Sequence, residues 1–238
     1  MEKATEALRD LISGSDNIVF FGGAGVSTES GIPDFRSEDG LYNQEYEHPP
    51  EVMLSRSFFQ SNTKLFYDFY RGKMLHTNIK PNQAHFALAK LESDGKLKAI
   101  VTQNIDGLHQ MAGSKNVLEL HGSVYSNYCM KCKKLYDVDI IISAEIPMCE
   151  CGGIVKPDVV LYEEALNQGI LAQAVKYISQ ADMLIVGGTS LSVYPAAQLI
   201  TYYKGSSLVL INKSETPYDK RADLIIRSSI GGVLGEIV

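Results

Sequence analysis

The chain has 238 residues, of which 45% are hydrophobic, and its formal net charge is −6 at pH 7. This length can bury one large core with a small appended domain, and the acidic balance argues against nucleic acid as a primary partner. No apolar run is long enough to span a membrane, and the charged N-terminus is unlike a signal peptide, so we expect a cytoplasmic protein.

The first predicted elements are an amphipathic helix over residues 4–13 and a buried parallel strand over residues 17–21. The strand runs into Gly23-Ala24-Gly25, a turn that can bring backbone amides and a helix N-terminus up to a phosphate. Thr28 stands where the ordinary dinucleotide fingerprint has its third glycine, and the segment ends at Phe35-Arg36. The pattern indicates a dinucleotide site, although a tight turn alone would also favour glycine.

Further along the chain, the pattern predicts an aromatic-rich helical segment at about 56–75 and another helix that begins near Pro81. Strands are predicted at 98–102, 183–186, 208–211 and 224–226. Strands that alternate with helices predict an α/β fold with a doubly wound, Rossmann-like parallel sheet, whose ligands bind at the carboxyl ends of the strands. The loops that would meet at that edge are 22–36, 103–109, 187–195, 212–214 and 228–232.

All four cysteines lie in one short window, as Cys129-x-x-Cys132 and Cys149-x-Cys151. In a reducing compartment, clustered pairs point to a metal before disulfides, and four thiolates fit a tetrahedral structural zinc. Two local redox pairs or free buried thiols are the alternative. With four protein ligands no position stays open, so this zinc would hold a module together and take no part in catalysis.

Two further motifs could carry chemistry. Gln103-Asn104-Ile105-Asp106 offers two amides and a carboxylate, which suit a carboxamide and ribose hydroxyls, but Asp106 could equally cap the next helix. His121 follows an apolar Leu-x-Leu and precedes Gly122, so it lies at the end of an element. Imidazole there could act as a base near neutral pH, whereas a lone histidine is more often structural.

The string from Gly23 to Ser37 resembles the signature of the sirtuins, NAD-dependent protein-lysine deacylases, here of the bacterial type. The Gln-Asn-x-Asp string and the downstream His121-Gly122 match the same pattern. The resemblance covers about residues 17 to 232. It departs from the family at the Cys-x-Cys knuckle and at Tyr162-Glu163, where many relatives have Phe-Gly.

The resemblance implies roles for individual residues. His121 would be the catalytic base, acting with Asn104 and Asp106. The acetyl-lysine peptide would pair as a strand between residues 159–163 and 190–194, in contact with Val160, Leu161, Tyr162 and Glu163. NAD, as co-substrate, would contact Ala24, Thr28, Phe35, Arg36, Gln103, Ile105, Asp106, His121, Thr189, Ser190, Asn212 and Ile230.

The implied architecture is an NAD-binding domain and a smaller discontinuous domain with a zinc module. The first would comprise residues 1–36, 78–122 and 157–238, and the second residues 37–77 and 123–156. The implied reaction transfers an acetyl group from protein lysine to ADP-ribose and releases nicotinamide. The partners would be NAD and acetyl-lysine proteins, with no nucleic acid or membrane.

Three other functions are alternatives to the deacetylase. They are a protein mono-ADP-ribosyltransferase, a non-catalytic NAD-sensing module and an ordinary NAD dehydrogenase.

Relatives that remove succinyl groups carry Tyr-x-x-Arg in the helical insertion, because a buried carboxylate needs a cation. Here Tyr67 is followed three residues later by Tyr70, so acetyl and longer neutral acyl groups are expected to be preferred over succinyl.

Overall fold

A computed structural model describes residues 2–35, 40–41 and 48–237 of the chain. The strands are β1 Ile18–Gly22, β2 Leu97–Thr102, β3 Val117–Glu119, β4 Gly122–Cys129, β5 Leu135–Tyr136, β6 Val155–Val159, β7 Met183–Gly187, β8 Ser207–Ile211 and β9 Leu224–Ile226. The α-helices are α1 Glu2–Gly14, α2 Pro50–Met53, α3 Arg56–Ser61, α4 Thr63–Lys73, α5 Gln83–Ser93, α6 Leu108–Met111, α7 Asp139–Ser143, α8 Gln168–Gln180 and α9 Ile230–Gly235.

The main sheet has six parallel strands in the order β3-β2-β1-β7-β8-β9. Every residue of β1 and of β7 is buried, as expected for central strands covered by helices on both faces. The direction of the strand order reverses between β1 and β7, and in such sheets the crevice at that point is where ligands bind. The predicted doubly wound α/β fold is confirmed.

Apolar clusters cover both faces of this sheet. One packs residues of α1, α5 and α9, such as Leu8, Leu88 and Leu234, against one face. The other packs residues such as Ile178 of α8 and Ile200 of a 3-10 helix, Ala196–Tyr202, against the opposite face. None of the helices in the described ranges is long and apolar enough to cross a membrane.

A third apolar cluster lies outside the main sheet. It joins aromatic side chains of α3 and α4, among them Phe59 and Phe66, to Val124 and Val155 of the small antiparallel sheet β5-β4-β6. The two segments assigned to the smaller domain therefore share one core. The domain boundaries themselves stay a prediction.

Two local features go beyond the elements predicted from the sequence. After β1 the chain forms short 3-10 helices, Ala24–Val26 and Thr28–Ser30, where an ordinary dinucleotide fingerprint would continue as a plain helix. The second ends at Gly31, whose φ of +92° is left-handed, and Pro33 soon follows, so the helix does not continue. β3 pairs with β2 as an additional strand, although its three residues are too short to show a period.

Candidate active site

One cavity of about 890 Å³ lies at the carboxyl edge of the main sheet. Arg36 lies outside the described residues. Every other residue assigned from the sequence to catalysis, NAD or peptide binding lines this cavity. These are Ala24, Thr28, Phe35, Gln103, Asn104, Ile105, Asp106, His121, Val160, Leu161, Tyr162, Glu163, Thr189, Ser190, Asn212 and Ile230.

The floor of the cavity is formed where the β1 and β7 turns meet backbone to backbone. The amide of Gly25 donates to the carbonyl oxygen of Gly188 over 2.8 Å. A Cβ atom on Gly25 would lie 2.8 Å from Gly188 Cα, closer than real Cβ contacts allow. The second glycine of the Gly-x-Gly turn is therefore required by this close approach of the two turns.

A hydrogen-bonded network joins the β1 turn to the loop after β2. Asn104 Nδ2 donates to Ser27 Oγ (3.1 Å), and Ser27 Oγ donates to Asp106 Oδ2 (2.6 Å). Ser27 was absent from the sequence-based site because nothing in the local pattern shows that its hydroxyl crosses to a loop far along the chain. Its position within the Gly23–Ser37 string was the one available signal.

Asp106 also keeps the capping role considered for it. Its Oδ1 accepts from the amide of Leu108 (3.0 Å), the first residue of α6. Asp106 therefore binds the start of α6 with one carboxylate oxygen and Ser27 with the other, and its contact with NAD stays a prediction.

Gln103 ties the end of β2 to the end of β7. Its Nε2 donates to Thr189 Oγ1 over 3.0 Å, and the same oxygen accepts from the amide of Leu191 (3.2 Å). Further along the sheet edge, Asn212 Nδ2 donates to the carbonyl oxygen of Ser214. The ends of β2, β7 and β8 thus present fixed amide and hydroxyl groups to one side of the cavity.

His121 is oriented by a single backbone contact. Its Nδ1 lies 2.8 Å from the carbonyl oxygen of Gln103, which can only accept, so Nδ1 carries the proton. In the neutral ring Nε2 then holds the lone pair. Burial lowers the pKa of His121 below its ordinary value of 6.5, and the bond to Gln103 opposes this only in part. The ring is therefore a neutral base at pH 7.

The segment 157–164 forms the wall next to His121. The amide of Val160 donates to the carbonyl oxygen of His121 over 2.9 Å. Tyr162 pairs with the helical insertion, because its amide donates to Leu54 O and its carbonyl accepts from the amide of Arg56. This segment therefore joins the histidine to the smaller domain.

Glu163 has a left-handed φ of +72°, a conformation in which glycine is unstrained. Its carboxylate accepts from the amide and the hydroxyl of Ser57, at 2.9 and 2.8 Å. These bonds compensate for the backbone conformation and explain how glutamate is accommodated where many sirtuins have glycine.

The helical insertion contributes Tyr70, Lys73 and Met74 to one wall of the cavity, beside Phe35 and Ile105 of other segments. Tyr67 Oη instead donates to the carbonyl oxygen of Val155 in the core. Arg71 is held outside, where it pairs with Asp68 and donates to the carbonyl oxygens of residues 141, 144 and 145. Neither Tyr67 nor Arg71 supplies a cation or donor to the cavity.

The four cysteines form a compact cluster away from the cavity. Their sulfur atoms all lie within 4.8 Å of one another, with Cys129 to Cys151 at 3.4 Å and Cys132 to Cys149 at 3.6 Å. A zinc ion with four bonds of about 2.3 Å needs sulfur atoms about 3.8 Å apart, so the cluster fits zinc. The amides of Lys131 and Cys132 point at Cys129 Sγ and stabilise thiolate there.

Comparison with known proteins agrees with this geometry. Residues 23–195 match the Sir2 family model. An NAD-dependent protein deacetylase of Clostridium tetani is 64% identical over 236 residues, which are 97% of this chain and 96% of the relative.

Solved structures are similar over nearly the whole chain. A Sir2 structure with a p53 peptide and NAD+ is 41% identical with a TM-score of 0.87, covering 98% of this chain and 96% of that one. A second, with a deacetylated p53 peptide and 3'-O-acetyl ADP-ribose, is 39% identical with a TM-score of 0.90, covering 97% and 95%. This chain belongs to the Sir2 family.

Proposed function

We propose that this protein is an NAD-dependent protein-lysine deacetylase. It transfers the acetyl group of acetyl-lysine to ADP-ribose and yields nicotinamide, O-acetyl-ADP-ribose and free lysine. The observation that carries the proposal is that one cavity joins the β1 turn, the Gln103–Asp106 loop, the His121 imidazole and the 157–164 segment. Cofactor and acyl-lysine would meet where these four elements converge.

The residues at the ends of the strands indicate how NAD would lie in the cavity. The adenosine side would contact Thr189, Ser190, Asn212 and Ile230, and the pyrophosphate would lie over the β1 turn at Ala24 and Thr28, with Arg36 nearby. Asn104 and Asp106, fixed through Ser27, would orient the nicotinamide ribose and carboxamide together with Gln103. Phe35 and Ile105 would exclude water from the reacting carbon. When bound, NAD supplies that electrophilic carbon.

His121 would then act as the general base. The proton on Nδ1 is held by Gln103 O, which leaves Nε2 free to take a proton from a ribose hydroxyl. No conformational change of the ring is required for this step, because the backbone contact fixes its orientation. Asn104 and Asp106, which are joined through the Ser27 hydroxyl, would act with His121 by orienting the ribose and the carboxamide.

The peptide would bind as an extended strand between residues 159–163 and 190–194. Val160, Leu161, Tyr162 and Glu163 would contact it, and the acyl-lysine would enter the apolar part of the cavity. Pairing through the main chain gives affinity with little dependence on side chains, so several acetylated proteins would be accepted. The proposed domain division places this groove between the NAD-binding domain and the smaller domain.

The zinc would be structural. With Cys129, Cys132, Cys149 and Cys151 as ligands, no coordination position remains for substrate or water. The ion would fix the small antiparallel sheet, whose β6 leads directly into the 157–164 segment.

Mass spectrometry of an acetylated protein after incubation with NAD tests the proposal. We expect loss of the acetyl mass from lysine and no gain of ADP-ribose on the protein. A gain of ADP-ribose without loss of acetyl would identify the chain as a mono-ADP-ribosyltransferase instead.

A further inference from the structure

Lys156 is buried in β6, immediately before the segment that would bind the peptide, and its side chain is only 4% exposed. A buried ammonium is costly unless its three donors are satisfied. Here Nζ donates to Val159 O at 2.8 Å, to Glu164 Oε2 at 3.0 Å and to Pro157 O at 3.2 Å. All three acceptors belong to the 157–164 segment.

Glu164 completes the arrangement from the other end of the segment. The oxygen that accepts from Lys156 also accepts from the amide of Leu161, at 3.0 Å. One carboxylate oxygen therefore closes a loop from Leu161 to Glu164, and the ammonium binds that loop back to β6. Residues 160–164 lie beyond the last residue of β6, and these contacts add to the main-chain bonds of Val160 with His121 and of Tyr162 with Leu54 and Arg56.

We propose that Lys156 and Glu164 are positioning residues for peptide binding, which rests on the proposed function. Strand addition needs a main chain whose amides and carbonyls are fixed in register before the partner arrives. The ion pair holds the main chain at Pro157, Val159 and Leu161, on either side of Val160, and neither charge is required to touch the substrate. The same segment reaches His121 through the Val160 amide.

The test uses two substrates and the full chain. One is an acetylated peptide with several residues on each side of the acetyl-lysine, and the other is a single acetyl-lysine blocked at both ends. The peptide can pair along the segment through its flanking residues, whereas the single residue has only its own amide and carbonyl groups. A variant that combines Lys156→Met with Glu164→Gln removes both charges at similar volume, so no uncompensated buried charge is left.

We expect kcat/KM for the peptide to fall about tenfold or more, as when a set of bound-state hydrogen bonds is lost. For the blocked acetyl-lysine, kcat/KM should change less than about twofold, because this substrate has no flanking residues that pair with the segment. The KM for NAD should be unchanged. An equal fall for both substrates would show a merely structural role, and no fall for either would also overturn the proposal.

The matched control is Lys96→Met. Lys96 Nζ likewise donates to two carbonyl oxygens, of Ser13 and Ser15, and to the carboxylate of Asp16. It lies at the amino end of β2, away from the cavity. This variant should leave the ratio of the two kcat/KM values unchanged.

If thermal unfolding shows that the double variant does not fold, Glu164→Gln alone is measured. It keeps an acceptor for the Leu161 amide and should lower the peptide-to-single-residue ratio in the same direction, and an unchanged ratio would overturn the proposal. A wild-type chain that deacetylates neither substrate with NAD contradicts the proposed function itself.

Discussion

The carboxyl edge of the main sheet and the cysteine module use polar groups in opposite ways. At the sheet edge, side chains such as His121 and Asn104 are fixed by one partner and still line an open cavity. In the module, the four sulfur atoms face one another, so their bonding capacity is directed inward. A group that keeps an unused atom toward a cavity is suited to chemistry, and a closed set of ligands is suited to holding a fold.

The largest effect is expected at the sheet edge, from His121→Ala. General-base catalysis contributes about 10²–10⁴ in rate, so kcat should fall by a factor in that range. Steady-state kinetics with NAD and an acetylated peptide measure the change, and calorimetry checks that NAD still binds. His48→Ala is the control, because His48 lies on the surface against Phe58 and does not line the cavity. Near wild-type turnover of His121→Ala would show that His121 is not the general base.

Removal of zinc tests the structural role of the cysteine module. The purified protein should hold one zinc per chain, and structural zinc in small modules contributes about 10–16 kcal/mol of apparent binding free energy at pH 7. Chelation should therefore disorder the region near residues 123–156 and lower activity indirectly. Elemental analysis and amide hydrogen exchange measure both effects. Fully folded and active protein without metal would show that the module does not depend on zinc.

The apolar side chains that line the cavity predict which acyl groups the protein removes. A succinyl carboxylate would be buried beside Tyr70 and Phe35, with Arg71 held outside by Asp68 and main-chain carbonyls. Burying an unpaired charged group costs more than about 1–3 kcal/mol, so kcat/KM should be at least about tenfold lower for succinyl-lysine than for acetyl-lysine. The two versions of one peptide are compared side by side. Equal or faster succinyl removal would mean that Lys73, which lines the cavity, pairs with the acyl carboxylate.

The smallest effect concerns pH. The neutral form of His121 is the base, and burial lowers the pKa of that imidazole below 6.5. Activity should therefore be full near neutral pH and fall only as pH drops through a value below 6.5. The profile of kcat/KM against pH reports this group in the free enzyme. An acid limb above the ordinary histidine value would show that the ring is stabilised in its charged form.

Sequence alone predicted what local patterns encode. The buried strands β1, β7 and β8 are largely apolar runs. The spacing of the cysteines predicted the cluster of four sulfur atoms that could hold a metal ion. What it missed depends on contacts between distant parts of the chain. The bridging hydroxyl of Ser27 and the burial of Lys156 arise only when separate loops meet.

In the proposed reaction, cleavage of NAD and removal of the acetyl group are coupled within this one cavity. The most direct measurement quantifies nicotinamide, deacetylated peptide and O-acetyl-ADP-ribose in the same reaction mixture. We predict that the three products form in equal amounts from the wild-type chain and that deacetylation stops when NAD is omitted. Deacetylation without NAD, or nicotinamide release without acetyl-ADP-ribose, would contradict the account.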